Sequence, residues 1–248
     1  MKEFFFNLKG TLKNYNYILK YKLVWCLPII LFLLFLDWLS KGIVTSTMNL
    51  GDDKEFISGL INFEYTINPG AAYGINADLP TLAISIAIFV SLFIIVAFIF
   101  VKDKWWILGI NFMLAGSLGN LIARIWAPPT ENGIYGGVVD FLKFDFSFLG
   151  SDSYIFNLAD AWVTISVILI IIALIIYLYC EIYELKLKKN EKLFEIYNDV
   201  QSQKLLTFEI YWSTFYKKDS ENKISYKEYI QKMKSFNMKW KNEKKENN

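Results

Sequence analysis

The stretch FNLADAWVTISVILIIIALIIYLY, Phe156 to Tyr179, places one carboxylate, Asp160, at the mouth of an apolar run long enough to cross a bilayer. A membrane span needs roughly 20 mostly apolar residues, so the run reads as a transmembrane helix. An ionised group at its end is costly unless it has a partner or a task. Working outward, three more stretches qualify besides Ile155–Tyr179: Leu23–Val44, Leu79–Val101 and Trp105–Trp126. All four are expected to be helices, because a backbone in lipid must satisfy its own hydrogen bonds. The composition agrees: 54% hydrophobic and 18% aromatic residues exceed what an ordinary soluble domain carries.

The net charge of +2 conceals an uneven pattern. Lys2, Lys9, Lys13, Lys20 and Lys22 precede the first span, Lys102 and Lys104 sit in the tight turn after the second, and ELKLKK follows the fourth. The positive-inside rule therefore predicts cytoplasmic termini, with the loops at about 45–78 and 127–154 outside. The first span holds Asp37 and Lys41 and is too long for a cleavable signal segment, so it is read as an uncleaved helix. Internal repeats are not apparent, and no basic patch suggests nucleic acid. The organisation expected is a cytoplasmic segment 1–22, a four-helix membrane domain 23–180 and a cytoplasmic extension 181–248. That extension mixes lysine, glutamate and aromatics, the pattern of amphipathic helices on a membrane surface or a partner.

Two scarcities narrow the chemistry. The chain has no histidine, and its two cysteines, Cys26 and Cys180, lie near opposite ends of the hydrophobic region. Histidine triads, histidine zinc sites and CxxC redox centres are excluded, and both cysteines read as apolar packing.

The polar residues inside the spans fall at helical spacing. Asp37 and Lys41 are four apart and can form an ion pair that locks the first helix. Gly116, Asn120 and Arg124 make one stripe on the third helix. Arg124 is the only arginine in a chain otherwise positively charged through lysine, which favours a fixed-geometry role for its planar fork. On the fourth helix Asn157, Asp160 and Thr164 share a face. Asp160 could cap its helix or pair with Arg124, but the second outer loop also offers Asp140, Asp145 and Asp152. Two carboxylates meeting at the membrane surface could share one proton and activate water without histidine or metal. Residue chemistry alone leaves the partner open, since Asp145 in FDFSF suits as well as Asp140 in GGVVDFL. The first outer loop, FISGLINFEYTINPGAAYGI, reads as a small strand platform ending in an Asn-Pro-Gly turn. The second, rich in Pro and Gly, reads as a mobile segment at the interface.

Five segments in order, DWLSKGIV at Asp37, INPGAAYGI at Ile67, GSLGNLIARI at Gly116, GGVVDFL at Gly136 and FNLADAW at Phe156, resemble the lipoprotein signal peptidase (signal peptidase II) family of bacterial membrane aspartyl proteases. The resemblance covers about the first 180 residues. To the fold expected from the residues, a mainly α membrane protein with four transmembrane helices and an extended helical cytoplasmic tail, it adds a small extracytoplasmic β-cradle. It implies Asp140 and Asp160 as the catalytic pair, a site lined by Asn68, Gly70, Asn120, Arg124 and Asn157, and stabilisation by Asp37 and Lys41. The implied substrates are diacylglyceryl-modified prolipoproteins, cut before the lipid-bearing cysteine, and the implied inhibitors are of the globomycin type. A monomer in the bacterial cell membrane is expected, surrounded by membrane lipid and with neither cofactor nor metal. Ala123 stands where the family motif commonly has aspartate, Tyr73 where phenylalanine is usual, and the chain beyond Leu187 exceeds the family norm. The competing readings are a small transporter or channel using Asp37, Asn120, Arg124 and Asp160 as a polar path, and a membrane scaffold acting through its tail.

Overall fold

The computed structural model describes residues 10–13, 15–70, 79–147, 150, 153–214 and 223–247. Among the described residues, four helices are long and apolar enough to cross a membrane: α1 (Leu19–Thr47), α2 (Pro80–Phe100), α3 (Lys104–Trp126) and α4 (Leu158–Leu187). α1 is interrupted by a π turn at Lys22–Cys26. α3 starts where Asp103 caps it, accepting from the backbone N–H of Trp105 and Trp106; such a cap satisfies donors the helix itself cannot. The chain divides into two compact units, Met1–Leu174 and Ile175–Asn248.

In the first unit, Ile30 and Leu33 of α1, Ile94 of α2, and Ile110, Leu114 and Ala115 of α3 form one buried cluster. α3 is the most enclosed span, and its small residues explain why. A Cβ on Gly116 would strike the Ala159 carbonyl and come within 2.7 Å of Val163 Cγ2, while one on Gly109 would meet Ile170 Cγ1 at 2.6 Å. Without side chains there, α3 and α4 approach backbone to backbone, as small residues allow in membranes.

Above these helices lies a four-stranded antiparallel sheet in the order β1 (Asp53–Ile57), β2 (Ile61–Asn68), β3 (Val138–Phe144), β4 (Ile155–Phe156). The strand platform expected in the first outer loop is β1 and β2. The second outer loop, expected to be mobile, instead supplies β3, and β4 comes from the first residues of the expected fourth span. Its run VVDFL is buried throughout, because Val139, Phe141 and Leu142 pack with Val44, Tyr65, Ile67 and Ala127 in a second core cluster. The fourth span also begins later than the apolar run suggests: Ile155 and Phe156 pair with Lys143 and Leu142, so the helix starts only at Leu158.

In the second unit, α5 (Glu191–Ser213) and α6 (Tyr226–Glu246) follow the end of α4. Asn190 caps α5, and Ser225 with Glu228 forms a reciprocal capping box on α6. Leu187, Leu193 and Tyr197 are buried with Tyr183, Phe194 and Trp240 against them. The amphipathic helices expected in the extension are these two.

Candidate active site

Five sequence segments converge where the sheet meets the helices. β2 ends at Asn68 in an Asn-Pro-Gly turn, in which Asn68 Oδ1 accepts from the Gly70 N–H at 3.0 Å. This is a side-chain turn that asparagine makes readily. The other end of the same amide, Nδ2, donates to Asp140 Oδ2 at 3.2 Å. β3 presents Asp140 opposite Thr66, and the two-residue period of a strand turns it away from Val139 and Phe141. Asp140 is 3% exposed.

β4 carries the chain straight into α4. Continuing its register past Phe156 brings Asn157 alongside Phe141 and Asp140. Asn157 precedes the first residue of the helix and Asp160 is the third within it, so the two form a reciprocal cap. The Asp160 N–H donates to Asn157 Oδ1 at 3.0 Å, and the Asn157 N–H donates to Asp160 Oδ2 at 3.1 Å. Asn157 Nδ2 then donates to Asp140 Oδ1 at 2.6 Å and to Asn120 Oδ1 at 3.1 Å. Both carboxylates are thus held by one fully buried residue.

α3 contributes Asn120, whose Nδ2 donates to Asp160 Oδ1 at 2.8 Å. Its Oδ1 also accepts from Lys41 Nζ at 2.9 Å. Lys41 in turn pairs with Asp37 at 2.8 Å, with both side chains almost wholly buried. The ion pair expected within the first helix is present, and it reaches further than its own helix: Asp37 Oδ1 accepts from the Ala159 N–H in the first turn of α4 at 2.9 Å. Gly119 leaves room for this contact, since a Cβ there would lie 2.7 Å from Asp37 Oδ2.

Arg124 Nη1 donates to the Gly136 carbonyl at 2.9 Å and Nη2 to the Gly70 carbonyl at 2.6 Å. Its guanidinium joins the two outer loops through backbone oxygens, and its hydrogen bonds go to neither Asp140 nor Asp160. Gly136 has φ +84, a conformation that favours glycine and here turns its carbonyl to Arg124. Asp145, the rival candidate, accepts instead from the Gly59 N–H and from Asn62 Nδ2, fastening the β1–β2 turn. Asp152 and Tyr73 lie outside the described residues. Ala123 is buried and lines a cavity of about 20 Å³ together with Asp37, Trp38, Lys41 and Trp126.

Burial first, and then the neighbouring Asp160 carboxylate, push the Asp140 carboxyl above the ordinary carboxylate range; the Asn157 and Asn68 amides and Lys41 pull the other way. Two adjacent carboxylates that resist joint ionisation can hold one proton between them, one serving as base and the other as acid. The resemblance implied Gly70 in the site, but neither Gly119 nor the carbonyls of Gly70 and Gly136 as partners of Arg124 carried a sequence signal.

Four helices of membrane-spanning length, a small antiparallel sheet and two aspartates joined through one asparagine fit a multi-pass membrane peptidase of the aspartic type. The chain belongs to the signal peptidase II family; residues 29–176 match the family model described as Signal peptidase (SPase) II. It is 38% identical over 160 residues to the lipoprotein signal peptidases of Staphylococcus aureus strains JH9 and Newman, a match covering 63% of this chain and 91% of each relative. It is also similar to two solved structures of a bacterial membrane enzyme, each at 36% identity and covering 60% of this chain. Their TM-scores are 0.51 and 0.50, with 87% and 91% of those chains covered. The activity is that of a lipoprotein signal peptidase, an aspartic endopeptidase of the bacterial membrane.

Proposed function

We propose that Asp140 and Asp160 are the catalytic dyad of this peptidase, and that it removes the signal peptide from diacylglyceryl-modified prolipoproteins by cutting before the lipid-bearing cysteine. The observation that carries the assignment is Asn157, whose backbone N–H donates to Asp160 and whose side chain donates to Asp140. Among the described residues, Asp140 and Asp160 are the two carboxylates so joined.

One aspartate is ionised and its partner protonated. The ionised carboxylate takes a proton from a water that attacks the scissile carbonyl carbon, while the protonated one donates to the carbonyl oxygen. The resulting diol collapses as a proton passes to the leaving nitrogen, which breaks the C–N bond and restores the singly protonated pair. Asn68, Asn120 and Asn157 orient the carboxylates, and Arg124 holds the loop carbonyls of Gly70 and Gly136 so that the peptide meets a fixed rim. Asp37 and Lys41 anchor the start of α4. The acyl chains of the substrate lie against lipid-facing helices, and their binding positions the peptide bond. Both termini face the cytoplasm and the site faces the other side, an orientation that the lysine distribution supports. Residues 181–248 are a cytoplasmic extension to the peptidase domain 23–180.

The test is cleavage of a diacylglyceryl-modified prolipoprotein peptide by the purified chain, with Asp140→Asn and Asp160→Asn in parallel. Cutting before the modified cysteine, lost in both variants while globomycin-type inhibitors still bind, is the expected result. Retained turnover in both variants overturns the assignment.

A further inference from the structure

Lys22 is a buried charge that the peptidase site does not use. It lies fifteen residues before Asp37 on α1, about 22 Å along a helix axis, and is 4% exposed. It opens the π turn Lys22–Cys26, an irregularity that often accompanies function. Its Nζ donates to the Ile99 carbonyl in the last turn of α2 at 2.7 Å and stands 5.4 Å from the centre of the Phe98 ring. Among the described residues no carboxylate forms an ion pair with it. One hydrogen bond leaves two ammonium hydrogens to be satisfied, and a buried cation without an anion is costly.

Beside Lys22 opens a groove of about 340 Å³ between the start of α1 and the end of α2, walled by Tyr17, Leu19, Leu23, Leu27 and Phe98. The segment before α1 folds over the end of α2, where the Tyr15 hydroxyl donates to the Phe100 carbonyl. More positive charge gathers there: Lys102 Nζ lies 3.8 Å from the Tyr15 ring centre and Lys104 Nζ 5.3 Å from that of Tyr21. The nearby carboxylate in sequence, Asp103, already caps α3.

We infer that this groove is a binding site for an anionic phospholipid, separate from the peptidase centre. The apolar walls take an acyl chain, and the free hydrogens of Lys22 take the phosphate diester. Basic pockets between membrane helices select anionic headgroups in this way. A zwitterionic headgroup is disfavoured because its own cation offsets the attraction of its phosphate to Lys22.

The experiment is native mass spectrometry of the full chain released from detergent micelles. It is titrated separately with phosphatidylglycerol, phosphatidylcholine and glycerol 3-phosphate, the last supplying phosphate without acyl chains. Monodisperse elution and helical circular dichroism verify each variant's fold independently of peptidase activity. Wild type is expected to bind phosphatidylglycerol about fivefold tighter than phosphatidylcholine, the effect of one well-placed lysine, and to bind glycerol phosphate far more weakly. Lys22→Arg keeps the preference and Lys22→Met abolishes it. Leu23→Trp, which fills the groove and leaves the ammonium in place, weakens phosphatidylglycerol binding and decides the matter if Lys22→Met fails to fold. Equal binding of the two lipids, a preference surviving in folded Lys22→Met, or unchanged affinity in Leu23→Trp overturns the inference. Glycerol phosphate binding as tightly as the lipid overturns it too.

Discussion

Asn157 and Asp160 hold one another through two reciprocal backbone-to-side-chain hydrogen bonds of 3.0 and 3.1 Å across the first turn of α4. Because Asp160 is fixed by its own helix terminus, its placement depends on α4 starting at the right residue. The short pairing of β4 with β3 sets that start. The same asparagine reaches Asp140 through its amide, so strand, cap and the two aspartates form one unit.

Replacing Asn157 by alanine therefore removes the donor to Asp140 and half of the reciprocal cap. Turnover is expected to fall by about a hundredfold or more, the usual effect of losing one preorganised donor, with KM changed much less. Steady-state kinetics on a lipidated peptide measures both; unaltered kcat would show that Asn157 serves only the helix start.

The raised Asp140 carboxyl predicts a pH dependence of stability with a definite sign. The unfolded side chain ionises near pH 3.9, while the folded one keeps its proton to higher pH. Folded protein thus binds more protons across that window, and stability must fall as pH rises from the unfolded value through the folded one. Asp140→Asn lacks this contribution, so its advantage over wild type should grow from about pH 4 upward and then level off. Thermal unfolding in micelles at several pH values measures it; a constant difference between the two proteins refutes the prediction.

Lys41→Met leaves Asp37 as an uncompensated buried charge. Breaking such a pair is expected to lower stability by about 3–5 kcal/mol and to remove one of the three hydrogen bonds that orient Asn120. The double replacement Asp37→Leu with Lys41→Met should recover much of the stability, since two apolar side chains can fill the space. It should not recover turnover, because the Ala159 N–H still lacks its acceptor and Asn120 Oδ1 keeps only the Asn157 amide. Denaturation and kinetics on the single and double variants separate the two roles.

Arg124→Lys keeps the charge but not the fork. A single ammonium is a poor substitute for a planar group bonding two carbonyls at once. Losing one charged hydrogen bond, about 1.5–3 kcal/mol, predicts a drop in kcat/KM of roughly tenfold to a hundredfold. Retained efficiency would assign Arg124 to charge alone.

A chain ended after Lys189 lacks α5 and α6 and should cut lipidated peptide at the full-length rate, since every group hydrogen-bonded around Asp140 and Asp160 lies before that point. Loss of cutting by a folded truncated chain would make the extension part of the enzyme.

Much of this arrangement was legible residue by residue. The four spans were readable because lipid demands long apolar helices and little else satisfies it, and the Asp37–Lys41 pair was readable from its four-residue spacing. Arg124 stood out as a lone arginine, but its two partners are carbonyls, which carry no sequence signature. Asp140 and Asp145 were indistinguishable by residue chemistry, and the family motif, not spacing, favoured Asp140. The register of β3 separates them, sending one to Asn157 and the other to the Gly59 turn.

The amino-acid sequence by itself determined the membrane class, the number of spans and the inventory of polar groups that chemistry could use, because hydrophobic run length and charge placement act locally along the chain. Only the tertiary structure decided that GGVVDFL is a buried strand, that α4 begins at Leu158, and that Asp37, Asn120 and Asn157 meet around the two aspartates. Those outcomes depend on β2–β3–β4 pairing and on the close approach of α3 to α4 at Gly116. Both join residues far apart in sequence, where no local preference can choose a partner.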